Sequence, residues 1–177
     1  PVVISAPNGV PLVNIQTPNA AGVSRNDYQQ FDVLRNGVIL NNTRHAVRTD
    51  LGGWVQGNPL LERPANVIVN EVHSSDPSLL KGPIEVAGHG AQVIIANPSG
   101  ISCDGCGFLN AYRATLTTGV PQFGADGSLE RYLVRRGTVS FVGDGLKATG
   151  VDYADVIARA VQINAALQAE HLRVVAG

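Results

Sequence analysis

Short apolar runs separated by turn residues fill this chain from end to end. Over residues 1–30, Val10, Leu12, Val13, Ile15 and Val23 alternate with Pro-Asn, Asn-Gly and Pro-Asn-Ala turns, a pattern that predicts short strands joined by tight turns. Phe31-Asp32-Val33-Leu34 and Val38-Ile39-Leu40 flank Asn36-Gly37. An Asn-Gly between two apolar runs predicts a hairpin. From Asn66 onward, strands are predicted over residues 67–69, 84–86, 92–95, 114–116, 138–142 and 172–175, with Gly, Asn or Pro at most corners. The series suits a coil of strands stacked on itself, in which each turn buries its inward residues against the next. A β-sandwich or barrel suits it as well, and the pattern by itself does not separate the two.

Residues 152–169 carry two periods at once. Val156, Ala160, Ile163 and Leu167 recur at helical spacing, while Val161, Ile163, Ala165 and Leu167 alternate as in a strand. The alanines and the absence of Gly and Pro favour a helix locally. Strands are the stronger expectation, because the family resemblance below places this stretch in the same coil.

Composition narrows the class. At 177 residues the chain is expected to form one domain, 1–177. Thirteen Lys and Arg against fourteen Asp and Glu give a net charge of -1 with the basic residues scattered, which makes nucleic acid and anionic membranes poor partners. The apolar runs fall far short of the roughly 18 residues a membrane helix needs. Low charge with 20 Gly and 10 Pro favours strands and turns over helices. The opening Pro1, the lack of Met and the apolar run 172–176 at the other end suggest a mature fragment cut from a longer protein.

Candidate chemistry concentrates between Asn97 and Gly119. Cys103-Asp104-Gly105-Cys106 lies in a Gly-rich turn between β-formers, not at the start of a helix where a C-x-x-C thiol is activated. A structural disulfide made in an oxidising compartment is the preferred reading. Free thiols or a bound metal are the alternatives, although the four His residues show no paired spacing. The carboxylates Glu62, Glu71, Glu85, Asp104, Asp126, Asp144, Asp152 and Asp155 are dispersed. They offer no acid–base pair unless folding gathers some of them. Ser74 and Ser75 beside His73 lack a nucleophile elbow. Trp54, the single tryptophan, is expected to anchor the core or a cap. No enzyme activity, metal or cofactor is expected.

The segments PNAAGVSRNDYQQFDVLRNGVILNN, GGWVQGNPLL, ANVIVNEV, GPIEVAGHGAQVIIANPSGISCDGCGFLNAYRATLTTG and DVIARAVQINAALQA together resemble the N-terminal secretion domain of two-partner-secretion exoproteins, the filamentous-haemagglutinin and contact-dependent growth inhibition group. Two family motifs, Asn-Pro-Asn-Leu and Asn-Pro-Asn-Gly-Ile, are matched by Asn58-Pro59-Leu60-Leu61 and Asn97-Pro98-Ser99-Gly100-Ile101. Both lack the family's third-position Asn.

The resemblance implies an all-β, right-handed parallel β-helix with an N-terminal cap and extra-helical hairpins. It implies a secretion signal of a large adhesin or growth-inhibition toxin of a Gram-negative bacterium, exported through the periplasm to the cell surface or beyond. The expected partners are the periplasmic POTRA domains of a cognate Omp85-type outer-membrane transporter, with the isolated domain a monomer. The Asn97 turn is expected to face that partner rather than the core, so that replacing Asn97 or Pro98 impairs export and spares the fold. A carbohydrate- or receptor-binding adhesin module is the runner-up, and a β-helical polysaccharide enzyme the third.

Overall fold

A computed structural model describes residues 1–177, and every regular element in it is a strand. Three parallel sheets wrap around one apolar interior. The first face carries Pro11–Asn14, Val38–Asn42, Pro83–Gly88, Cys106–Leu109, Leu146–Ala148 and Leu167–Ala169, with Val2–Ser5 added antiparallel at its start. The second face stacks Val23–Tyr28, Val67–Val72, Ala91–Ala96, Ala111–Thr117, Tyr153–Ala158 and Leu172–Ala176. The third holds Ser78–Leu80, Ile101–Cys103, Thr138–Phe141 and Ala160–Ile163, and Val33 bridges in parallel to Leu80 at its head. The chain visits first, second and third face in turn, so each circuit is one rung of a parallel β-helix. The second face numbers the rungs one to six.

Register explains why so few charges suffice. Along the second face Ile95, Leu116 and Val156 stack through parallel pairing, and along the third Val33, Leu80, Cys103 and Phe141 do the same. All of these are buried in one continuous core. Parallel strands covered on both sides read as apolar runs rather than clean alternation, which is why Val93-Ile94-Ile95 is apolar throughout.

The outward side chains of two faces are covered by hairpins. Val47–Thr49 and Gly53–Val55 fold over the first face, where Leu12, Ile39, Ala87 and Val55 form a second small core. Beneath that hairpin Glu85 is buried, and its carboxylate accepts the Asp50 and Leu51 amide hydrogens at 2.9 Å each. Val120–Phe123 and Leu129–Leu133 cover the second face, packing Phe123, Leu129 and Tyr132 on Val23, Val69, Ile94 and Ala96.

Three expectations meet this fold. Residues 152–169 hold three strands, Tyr153–Ala158, Ala160–Ile163 and Leu167–Ala169, and no helix, because the inward positions Ala154, Val156 and Ala158 are buried in the core and tertiary packing overrides alanine's helical preference. Asn36-Gly37 does not close a hairpin. Gly37, at φ +87°, turns the corner from the third face to the first, and Val38 pairs in parallel with Ile84 of a later rung. A type of turn that reverses a strand in an open sheet here only changes its face, since the following rung supplies the partner. Trp54 is no core anchor: it sits 65% exposed on the outer strand of its hairpin.

Candidate recognition site

The two Asn-Pro motifs occupy equivalent local structures. At Asn97-Pro98-Ser99-Gly100-Ile101, the corner from second to third face in rung three, the Asn97 side-chain oxygen accepts the Ser99 amide hydrogen at 3.0 Å. Its NH₂ group donates to the Asp76 carbonyl at 2.9 Å and the Ser78 hydroxyl at 3.0 Å, both in the rung before. The backbone closes the turn with Gly100 N–H to the Asn97 carbonyl at 3.0 Å. Gly100 holds φ +116°, a conformation that side chains disfavour.

At Asn58-Pro59-Leu60-Leu61 the arrangement repeats. The Asn58 oxygen accepts the Leu60 amide hydrogen at 2.9 Å, and its NH₂ donates to the carbonyls of Ile15 and Asn41 at 2.9 and 3.0 Å. Asn58 is 2% exposed and Asn97 is fully buried. Leu61 and Ile101 also point into the core. Only Pro59, Leu60, Pro98 and Ser99 reach the surface, Pro59 exposed and the others half-buried.

The expectation that the Asn97 turn faces outward is therefore corrected for its asparagine. An asparagine has one acceptor and two donor hydrogens, and here all are used within the coil, so it ties two rungs together. The third position of each motif contributes its backbone N–H to the turn. Leu60 and Ser99 can do this as well as Asn, which accounts for a folded turn without the family's third residue.

The same device recurs at asparagines outside the two motifs. Asn42 donates to the carbonyls of Ala65 and His89 and accepts the Ala65 amide hydrogen. Asn70 links the Tyr28 hydroxyl to the Ile94 carbonyl. The signal was an asparagine at or near a strand end, followed by chain that must change direction.

Cys103 and Cys106 are joined by a disulfide and both are fully buried. Their turn is held by Asp104 N–H to the Leu80 carbonyl at 2.9 Å and Gly105 N–H to the Gly145 carbonyl at 2.8 Å. Above it, Arg35 pairs with Asp104 at 3.1 Å. The Asp144 amide hydrogen and this guanidinium hold the Asp104 carboxyl below the usual carboxylate range. Among the other carboxylates, Asp155 is buried between Arg113 at 2.7 Å and Arg173 at 3.1 Å, an ion-paired arrangement on the outer side of the second face.

Comparison with known proteins fixes the assignment. The family model described as "TPS secretion domain" matches residues 2–177. The chain is a member of the TPS secretion domain family. A solved structure, the filamentous hemagglutinin secretion domain, superposes with a TM-score of 0.90 at 43% identity, over 99% of this chain and 61% of that one. Toxin CdiA of Yersinia pestis is 56% identical over 178 residues, and tRNA nuclease CdiA-2 of Burkholderia pseudomallei is 52% identical over 179. Each alignment spans all of this chain but only 5% and 6% of the relative. The domain is thus a secretion module of the two-partner-secretion family, whose exoproteins are secreted by Gram-negative bacteria. The nuclease in a relative's name belongs to a protein of which this domain matches a small part.

Proposed function

We propose that residues 1–177 act as one unit that delivers a CdiA-like toxin to the periplasmic POTRA domains of its Omp85-type transporter, and that the two Asn-Pro motifs are read there before the coil has closed. The observation carrying this reading is the burial of Asn58 and Asn97. In the unfolded chain their amides are free for a partner, and in the finished coil they are spent on neighbouring rungs. Recognition and folding then compete for the same groups. Each rung that forms outside the cell withdraws an asparagine from the transporter and gives the next rung a template. An extended segment also offers main-chain hydrogen bonds to a sheet edge of the transporter.

The test pairs export with binding. Asn97→Ala and Pro98→Ala variants are assayed for secretion, and the transporter's periplasmic region is used to capture the chain in folded and in denaturant-released form. Preferential capture of the released chain, weakened by Asn97→Ala, is the expected result. Equal capture of the folded domain, or normal export with both residues replaced, overturns it.

A further inference from the structure

Folding does gather one set of dispersed side chains. Asp27 and Glu71 are directly opposite in the parallel pairing of rungs one and two, two like charges side by side on the outer surface of the second face. His73 follows two residues after Glu71 and points the same way. Its Nε2 lies 2.7 Å from Asp27 Oδ1 and 4.0 Å from Glu71 Oε2, and one ligand atom from each of the three falls within 4.8 Å of the others. The backbone holds them there, with His73 N–H donating to the Tyr28 carbonyl at 2.9 Å.

The group is unbalanced. The Glu71 side chain is only 12% exposed, and its one ion-pair partner within reach is the imidazole at 4.0 Å. Arg25, two residues before Asp27, lies over the Phe123 ring at 3.8 Å instead of pairing with either carboxylate. Like charges opposite one another on adjacent strands are destabilising. An imidazole and two carboxylates around one point form a donor set suited to a borderline divalent ion rather than to calcium or magnesium.

We propose that Asp27, Glu71 and His73 form a zinc site that clips rung one to rung two. Zinc bonds of about 2.0–2.2 Å in tetrahedral array set ligand atoms about 3.3 Å apart, between the 2.7 and 4.0 Å separations found here. Asp27 and His73 are surface side chains free to make that adjustment. The fourth position is left to water. The clip joins strands that the long excursion from residue 43 to residue 66 separates in sequence, the first parallel pairing of the second face.

The experiment uses the untagged 177-residue chain, stripped with a chelator and titrated with zinc chloride at constant neutral pH by calorimetry and thermal unfolding. The expected result is one ion per chain, with the unfolding midpoint raised by about 5–10 °C at a hundredfold excess over the dissociation constant, and no effect of magnesium. Affinity should fall at least tenfold in His73→Gln and in Glu71→Gln. The second variant removes a like-charge contact, so its apo form should unfold no earlier than the parent, and its lost response is then not misfolding. A midpoint unmoved by millimolar zinc, or a zinc response retained in full by His73→Gln, overturns the site.

Discussion

The two ends of the coil are finished differently. At the N-terminal end Val2–Ser5 doubles back antiparallel on Pro11–Asn14, and residues 58–63 are fastened across rung one. Asn58 bonds to the Ile15 carbonyl, Glu62 N–H to the Thr17 hydroxyl, and Arg63 to the carbonyls of Pro18 and Asn19. Leu61 closes the core beside Val13, Ile15 and Phe31. At the other end Leu172–Ala176 is exposed along its whole length and pairs on one side only. The stack Ile95, Leu116, Val156 is buried, yet its next member, Val174, is 41% exposed. Burial in this fold belongs to the presence of a neighbouring rung, not to the residue type. Stability is then a sum of rung-to-rung terms.

The sharpest way to break that comparison is to truncate the same stack at two heights. Leu116→Ala, with a rung on either side, should cost about 2–5 kcal/mol. Val174→Ala should stay within roughly 0.5 kcal/mol, as surface substitutions do. Denaturant unfolding of both variants measures the difference, and equal losses would mean that the last rung is as well packed as the middle.

The asparagines sharpen the same contrast. Asn58→Ala strands the Ile15 and Asn41 carbonyls and the Leu60 N–H, and the cost of leaving such groups buried without partners is about 1–3 kcal/mol. Asn164 turns an exposed corner near the open end, and Asn164→Ala should change stability by a few tenths at most. Hydrogen exchange locates the effect: Asn58→Ala should deprotect amides of rung one before those of rung four.

Between the ends lies the disulfide, in a stretch covered from both sides. The loop is short, so chain-entropy arguments allow roughly 2 kcal/mol or less for it. The double variant Cys103→Ala, Cys106→Ala should therefore fold and unfold cooperatively at a modestly lower midpoint. Thiol labelling of the native, unreduced protein should find no reactive cysteine.

Much of this fold was legible. The strands near residues 67, 84, 92, 114, 138 and 172, the corners marked by Gly, Asn and Pro, and the strand character of 152–169 follow from apolar runs and from the family likeness, whereas the short strands Ser78–Leu80, Ile101–Cys103, Cys106–Leu109 and Leu146–Ala148 carry too few apolar residues to stand out. What stayed hidden were partners distant in sequence. Asn36-Gly37 reads as a hairpin because local chemistry is the same whether the next strand pairs backward or with a rung some 46 residues on, as Val38 does with Ile84. Trp54 reads as an anchor because its size suggests burial, yet it lies on the solvent side of a hairpin whose other face, Val47 and Val55, makes the contact. The Asn-Pro motifs were visible as motifs, but the direction of their amides depends on carbonyls brought in from other rungs. Asp27 and Glu71 became neighbours only through register.

The smallest expected effect tests the open end directly. Leu172 and Val174 are 38% and 41% exposed, so a seventh rung laid over them should bury at most that two-fifths of each residue, and covering the two contributes about 1–2 kcal/mol. For a domain of this size that raises the unfolding midpoint by about 2–8 °C. The free edge of Leu172–Ala176 carries unpaired backbone groups of the kind that recruit another chain, so the isolated domain should be a monomer only at low concentration. Sedimentation against concentration measures this, with and without appended rungs. Extension should suppress self-association and raise the midpoint together, since both come from covering one edge. A midpoint that rises while self-association persists would place the sticky surface elsewhere, and the exposed Val2–Ser5 strand at the capped end would be the next to examine.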